Sequence, residues 1–166
     1  MNMMRRLVFL LFALFCIASV SAQDKMSNSI FEQLAAISDR YKSETSINGF
    51  AAKGGIKLQT VKLMLRKEFG REFVDNIKFF VALFYEDAQP EVVEKILADI
   101  AQVTKTMQCV NIGTELKPGS EGLGYVRLSE DGQALTDLLI VSEAPSPKFV
   151  YFGGRFKPEN LQYNPK

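Results

Sequence analysis

The chain has no histidine and no tryptophan, and only two cysteines among its 166 residues. Each shortage removes a class of chemistry. Without histidine there is no imidazole to act as a base near neutral pH, and the commonest metal ligand is missing. A Ser-His-Asp or Cys-His nucleophile system is excluded within the chain. Missing tryptophan counts against a sugar-stacking cleft. Charge of one sign is not in excess either, with 20 basic against 19 acidic residues. Nothing in that balance draws the protein toward nucleic acid.

What is present first is an export segment. Arg5 and Arg6 precede an unbroken apolar run over 7–17, and Ala18-Ser19-Val20-Ser21-Ala22 supplies small residues. A basic end, an apolar core and a small-residue cleavage site are the parts of a secretory signal peptide. The run is shorter than the ~20 residues a permanent membrane helix needs. The expectation is therefore a signal over 1–22, a cut between Ala22 and Gln23, and one exported domain over 23–166 with no transmembrane segment of its own. That length suits one sizeable core. Losing the signal removes two basic residues and no acidic ones, leaving 18 basic against 19 acidic residues. Cys16 leaves with the signal, so no disulfide can form within the mature chain. A lipid anchor on Cys16 would want a small residue before it, where Phe15 stands. The lone Cys109 is expected to be buried.

The period of the apolar residues then divides the domain. After a polar lead-in over 23–28, Ser29-Ile30-Phe31-Glu32 fits a capping box opening a helix. Ile30, Leu34, Ile37 and Tyr41 continue it as one stripe, ending near Ser43. A short strand is expected over 46–53, broken by Gly54-Gly55. A second helix over 58–69 carries Val61, Leu65 and Phe69 four apart, with Met64 beside them, and Gly70 suits its end. The strongest strand is 77–85, apolar on both faces, which points to a central place in a sheet. Pro90 fits the first position of a third helix, with Val93, Ile96, Leu97, Ile100 and Val103 as its apolar face.

From Met107 the period changes to two. Strands are expected over 108–112, 123–128, 135–141 and 149–152. Turn residues separate them: Lys117-Pro118-Gly119-Ser120, Asp131-Gly132 and Pro145-Ser146-Pro147. Asp131-Gly132 is the best hairpin signal. The fold class is α+β: a single domain with an antiparallel β-meander sheet packed by amphipathic helices on one face. The other face is expected to be half solvated or covered by the first helix.

The order of elements resembles small exported families of Bacteroidetes catalogued as domains of unknown function. The likeness runs over 30–161. It is carried by the strand over 77–85, by Tyr125-Val126-Arg127-Leu128 before Asp131-Gly132, by 135–141, and by Val150-Tyr151-Phe152-Gly153-Gly154. The Ser-Ala-Gln ending of the signal is similar to that phylum's exports. The resemblance implies the fold and the exported, periplasmic or envelope-associated location, and no catalytic residue.

No constellation carries chemistry. Gly54-Gly55 lacks the spacing and the Lys-Ser/Thr ending of a phosphate loop, and reads as a turn. The adjacent carboxylates Glu86-Asp87 and Glu130-Asp131 sit where turns are expected, not across a cleft. Phe149, Tyr151, Phe152 and Phe156 alternate between faces and read as core. Basic residues cluster over 53–78. If they form a docking face, its members are Lys62, Arg66, Lys67 and Arg71, projecting away from the Val61-Leu65-Phe69 stripe with few internal partners. The expectation is a monomeric exported interaction module for an unknown envelope protein, not an enzyme, with no cofactor, no metal and no nucleic acid. The alternative is a carrier of an apolar ligand between sheet and helices.

Overall fold

The computed structural model describes residues 3–44, 46–113, 121–144 and 146–161; for 3–21, 113, 121, 144, 160 and 161 it describes the backbone alone. The expected turn over 117–120, and Pro145, lie outside the described residues. Eleven elements follow in order: α1 (Met3–Tyr41), β1 (Asn48–Lys53), α2 (Gly55–Phe69), α3 (Arg71–Asp75), β2 (Ile77–Phe84), α4 (Pro90–Thr106), β3 (Val110–Gly113), β4 (Glu121–Leu128), β5 (Leu135–Ala144), β6 (Lys148–Phe156) and the 3-10 turn η1 (Pro158–Leu161). The fold is α+β, as the pattern predicts. All six strands join one antiparallel sheet in the order β1-β2-β6-β5-β4-β3. The β3-β4-β5-β6 meander is present. The Asp131-Gly132 signal falls inside the β4–β5 connection, where Gly132 takes φ +67° and the Ser129 N–H donates to the Ala134 carbonyl.

Three expectations change. Helix α1 does not start at Ser29 but runs unbroken through the lead-in, so the capping box opens nothing. Ser29 instead accepts hydrogen bonds from the Gln33 side chain, one turn on. Next, β2 is not central: it lies second from the edge, with β6 and β5 in the middle. Its burial is as expected, since Val81 and Leu83 are fully buried. The third change explains the second. Helices cover both faces of the sheet, and α1 shares a face with α4 while α2 and α3 cover the other. On the first face α1 and α4 pack Ile30, Leu34, Ile37, Ile96, Ile100 and Val103 against Phe79, Val81, Leu83, Leu139 and Tyr151. On the second face α2 and α3 pack Leu58, Val61, Phe73 and Val74 against Ile77, Phe80, Leu138, Phe152 and Phe156. A strand under helices on both sides must be apolar on both sides wherever it stands in the sheet.

A bulge refines the alternation of β2. Pairing with β6 steps from Ile77↔Gly154 to Phe79↔Gly153, so Lys78 is an extra residue. An inserted residue reverses the faces beyond it. Ile77 accordingly joins the second core rather than the face of Phe79 and Val81. The Lys78 ammonium instead pairs with Asp24 of α1 at 3.0 Å. Gly54 and Gly55 take φ +68° and +63°, which a side chain would resist. They turn the chain from β1 straight into α2.

Candidate functional site

Two features stand out against the packed core. The first lies where α1 crosses the sheet. Arg127 and Asp137 face each other directly across β4 and β5. Alternation puts both on the α1 side, the side of Tyr125 and Leu139. The Asp137 carboxylate is 0% exposed. Arg127 Nε donates to its Oδ2 at 2.7 Å, and Nη2 approaches the same oxygen at 2.6 Å. The Tyr151 hydroxyl of β6 donates to Oδ1 at 2.6 Å, and the Ser27 hydroxyl of α1 donates to Oδ2 at 3.2 Å. Arg127 Nη2 also donates to Ser27 Oγ at 3.0 Å and to the Gln23 carbonyl at 3.4 Å. Gly153 makes room for this, since a Cβ there would sit 2.5 Å from the Tyr151 hydroxyl and 2.9 Å from the Phe79 ring.

Burial, followed by the neighbouring Asp137 carboxylate, pushes the Tyr151 phenol well above its ordinary range. Ser27 and Gln23 of α1 cover the set, so a substrate would have to lift the helix to touch the carboxylate. The arrangement is a clamp that holds the first turns of the expected mature chain onto three strands. Desolvation offsets much of the attraction in such a buried pair, whereas removing one partner leaves an uncompensated charge.

The second feature is α2. Leu58 and Val61 point into the second core, with Leu65 and Phe69 beside them. On the opposite side Ile56 is 86% exposed, and Leu63 and Met64 are 66% exposed. Ile56, Thr60, Leu63 and Lys67 follow one another by four, three and four, so they share the outermost line of the helix. Met64 lies beside that line rather than with the core stripe. Folded helices usually turn such a line polar, and this one carries an apolar ridge.

The expected docking residues sit around it. Arg66 and Arg71 both pair with the Asp75 carboxylate, at 2.9 and 3.2 Å, and Lys62 donates to the Asp75 carbonyl at 2.9 Å. The guanidinium of Arg66 is the main reason Asp75 is held below the usual carboxylate range. Three of the four are thus brought together on α3 and are not short of internal partners. Lys67 stands apart. It and Lys57 form no ion pair among the described residues. Sequence reasoning put the basic residues at the centre of the surface and missed the apolar ridge between them.

The remaining candidates read as structure. Phe149 and Tyr151 join the first core, Phe152 and Phe156 the second. Glu86 accepts from Ser146, and Asp131 accepts from the Ser129 hydroxyl, the Gln133 N–H and Arg155. These contacts, Ser129 first, hold Asp131 down to about 2. Cys109 is half-buried rather than buried; its thiol donates to the Thr104 carbonyl, and burial pushes its pKa up, which makes it a poor nucleophile. Among the described residues no three His, Cys, Asp or Glu side chains converge as metal ligands. Nor is any helix among them long and apolar enough to cross a membrane.

These features define an α+β protein with an open antiparallel sheet, a closed polar clamp and an exposed apolar helix ridge. The chain matches no family model, no curated protein and no solved structure.

Proposed function

We propose that this chain is an exported interaction module, periplasmic or associated with the envelope, that docks through the outer ridge of α2. The observation that carries the reading is the exposure of Ile56, Leu63 and Met64 on one helix. Leaving large apolar side chains in water forgoes roughly 1.5–3 kcal/mol each relative to burial. Grouped exposure of this kind marks surfaces that are covered in use. Leu63 and Met64 serve no core, because Leu58 and Val61 already fill the inward side of the helix.

The alternative, carriage of an apolar ligand between sheet and helices, gains no observation of its own. On the α1 and α4 side that layer is filled by Leu34, Ile96, Ile100, Leu83 and Leu139. An enzymatic reading would need a reachable acid–base pair, and the buried carboxylate, Asp137, is closed off by α1.

The test is site-specific photo-crosslinking in the native cell. A benzophenone side chain at Leu63 should give adducts, while one at Glu94, exposed on α4 on the other face of the sheet, should not. No adduct from position 63, or equal adducts from both positions, would overturn the assignment of the docking face.

A further inference from the structure

Resting on that docking face, we infer that its occupant is an anionic lipid surface, met by α2 lying flat on the bilayer interface. The outer line of the helix carries Ile56, Thr60, Leu63 and Lys67, two large apolar groups, a hydroxyl and a cation, with Met64 and Lys57 on one flank. Arg66 lies toward the other flank, with its charge shared with Asp75. Glu68 is the one acid on α2, set toward the side of the helix rather than on the line. Apolar side chains that can enter the acyl boundary, ringed by cations that stay with the headgroups, are what an interfacial helix needs.

Charge and area separate this occupant from the others. A second copy docked ridge to ridge would bring Lys57 and Lys67 of one chain against those of the other, and neither lysine has an ion pair among the described residues to offset the repulsion. A protein partner forming a stable complex would cover about 800 Å² on each side. The ridge belongs to a single helix and presents three large exposed apolar side chains. A bilayer needs no such area. It yields around each side chain, and anionic headgroups meet the lysines within a screening length of about 8 Å. The fold also holds the ridge ready: α2 is fixed to the sheet by Leu58 and Val61, and to α3 through Asp75. Docking therefore orders nothing new and loses little entropy.

The experiment reads α2 locally, so that attachment through the N-terminal apolar run cannot imitate it. The full chain carries an environment-sensitive fluorophore on Met64→Cys, with Cys16→Ser and Cys109→Ala. Vesicles containing phosphatidylglycerol should shift its emission to the blue and brighten it; pure phosphatidylcholine vesicles should not. Added salt, or Lys57→Glu with Lys67→Glu, should abolish the shift while circular dichroism stays unchanged. An unshifted label on chains that nevertheless float with the vesicles would overturn the inference. So would a blue shift that grows with protein concentration without lipid, which would point to a second copy, or an equal shift on neutral vesicles. A silent label together with photo-adducts from Leu63 would keep the docking face and replace the bilayer with a protein partner.

Discussion

Asp137 accepts from Arg127, Tyr151 and Ser27, and each of these groups is buried or nearly so. Removing the carboxylate leaves the Arg127 charge without its counter-ion and the Ser27 hydroxyl without this acceptor, while the Tyr151 hydroxyl keeps only the Ser27 carbonyl, at 3.1 Å. Breaking one partner of a buried pair costs about 3–5 kcal/mol. Asp137→Ala should lose that much in urea unfolding; a loss below about 1 kcal/mol would show that water reaches the site. The buried phenols give a pH signature of their own. Burial raises Tyr151 well above the ordinary value and, with some help from Glu143, pushes Tyr85 up to about 12. The folded state then holds these protons more tightly than the unfolded chain, whose tyrosines ionise near 10. Their contribution to stability is therefore complete below about pH 10. It is lost as pH rises through the folded values. In an alkaline titration followed by tyrosinate absorbance, Tyr85 and Tyr151 should stay silent until the chain unfolds. Early, gradual ionisation of all the phenols would refute this, and Tyr85→Phe with Tyr151→Phe identifies their share of the signal.

At the scale of elements, β2 is the sharpest case. Leu83 is fully buried between the sheet and the α1 side, and Leu83→Ala should cost roughly 2–5 kcal/mol in chemical denaturation. A cost below about 1 kcal/mol would mean that the α1 and α4 layer repacks around the gap. The same strand marks where reading a sequence stops. Its two apolar faces were legible; its place beside the edge strand was not, because cover by helices on both sides produces the same pattern as centrality. The bulge at Lys78 was hidden too, since one inserted residue leaves composition and approximate alternation intact. In α2 the inward stripe of Val61, Leu65 and Phe69 was legible from its spacing. The outward line of Ile56 and Leu63 was not weighed, because only its exposure in the folded chain sets it apart from core. The clamp left a signal that could have been followed: Arg127 and Asp137 occupy inward positions of adjoining strands, where opposite charges are expected only as a pair. The unbroken α1 left none. A capping box starts a helix only when the residues before it have nothing better to bond, and here Asp24 and Ser27 are tied to Lys78 and Asp137.

Over the whole molecule, the N-terminal helix is bound to the sheet from its Gln23 turn onward, which gives the expected cut a structural consequence. Cleavage after Ala22 would leave the Gln23 carbonyl, Asp24 and Ser27 in the mature chain. Each of them meets the sheet, at Arg127, Lys78 and Asp137 respectively. A cut only seven residues later would remove all three and open the Asp137 cluster to water. A cut at Ala22–Gln23 would therefore keep all three of these contacts, and folding sets no limit on a cut further upstream. Mass spectrometry of the native protein should find a chain beginning at or near Gln23. Intact Met1 would refute the export reading, and an acylated Cys16 would replace the cut at Ala22–Gln23 with a lipoprotein anchor. The structural half can be checked separately. A chain starting at Gln23 should outlast one starting at Ile30 in urea by about 1–3 kcal/mol, the cost of leaving buried polar groups without their partners. Equal midpoints would mean that residues 23–29 rest on the sheet without stabilising it, and that the clamp is closed by Arg127, Asp137 and Tyr151 alone.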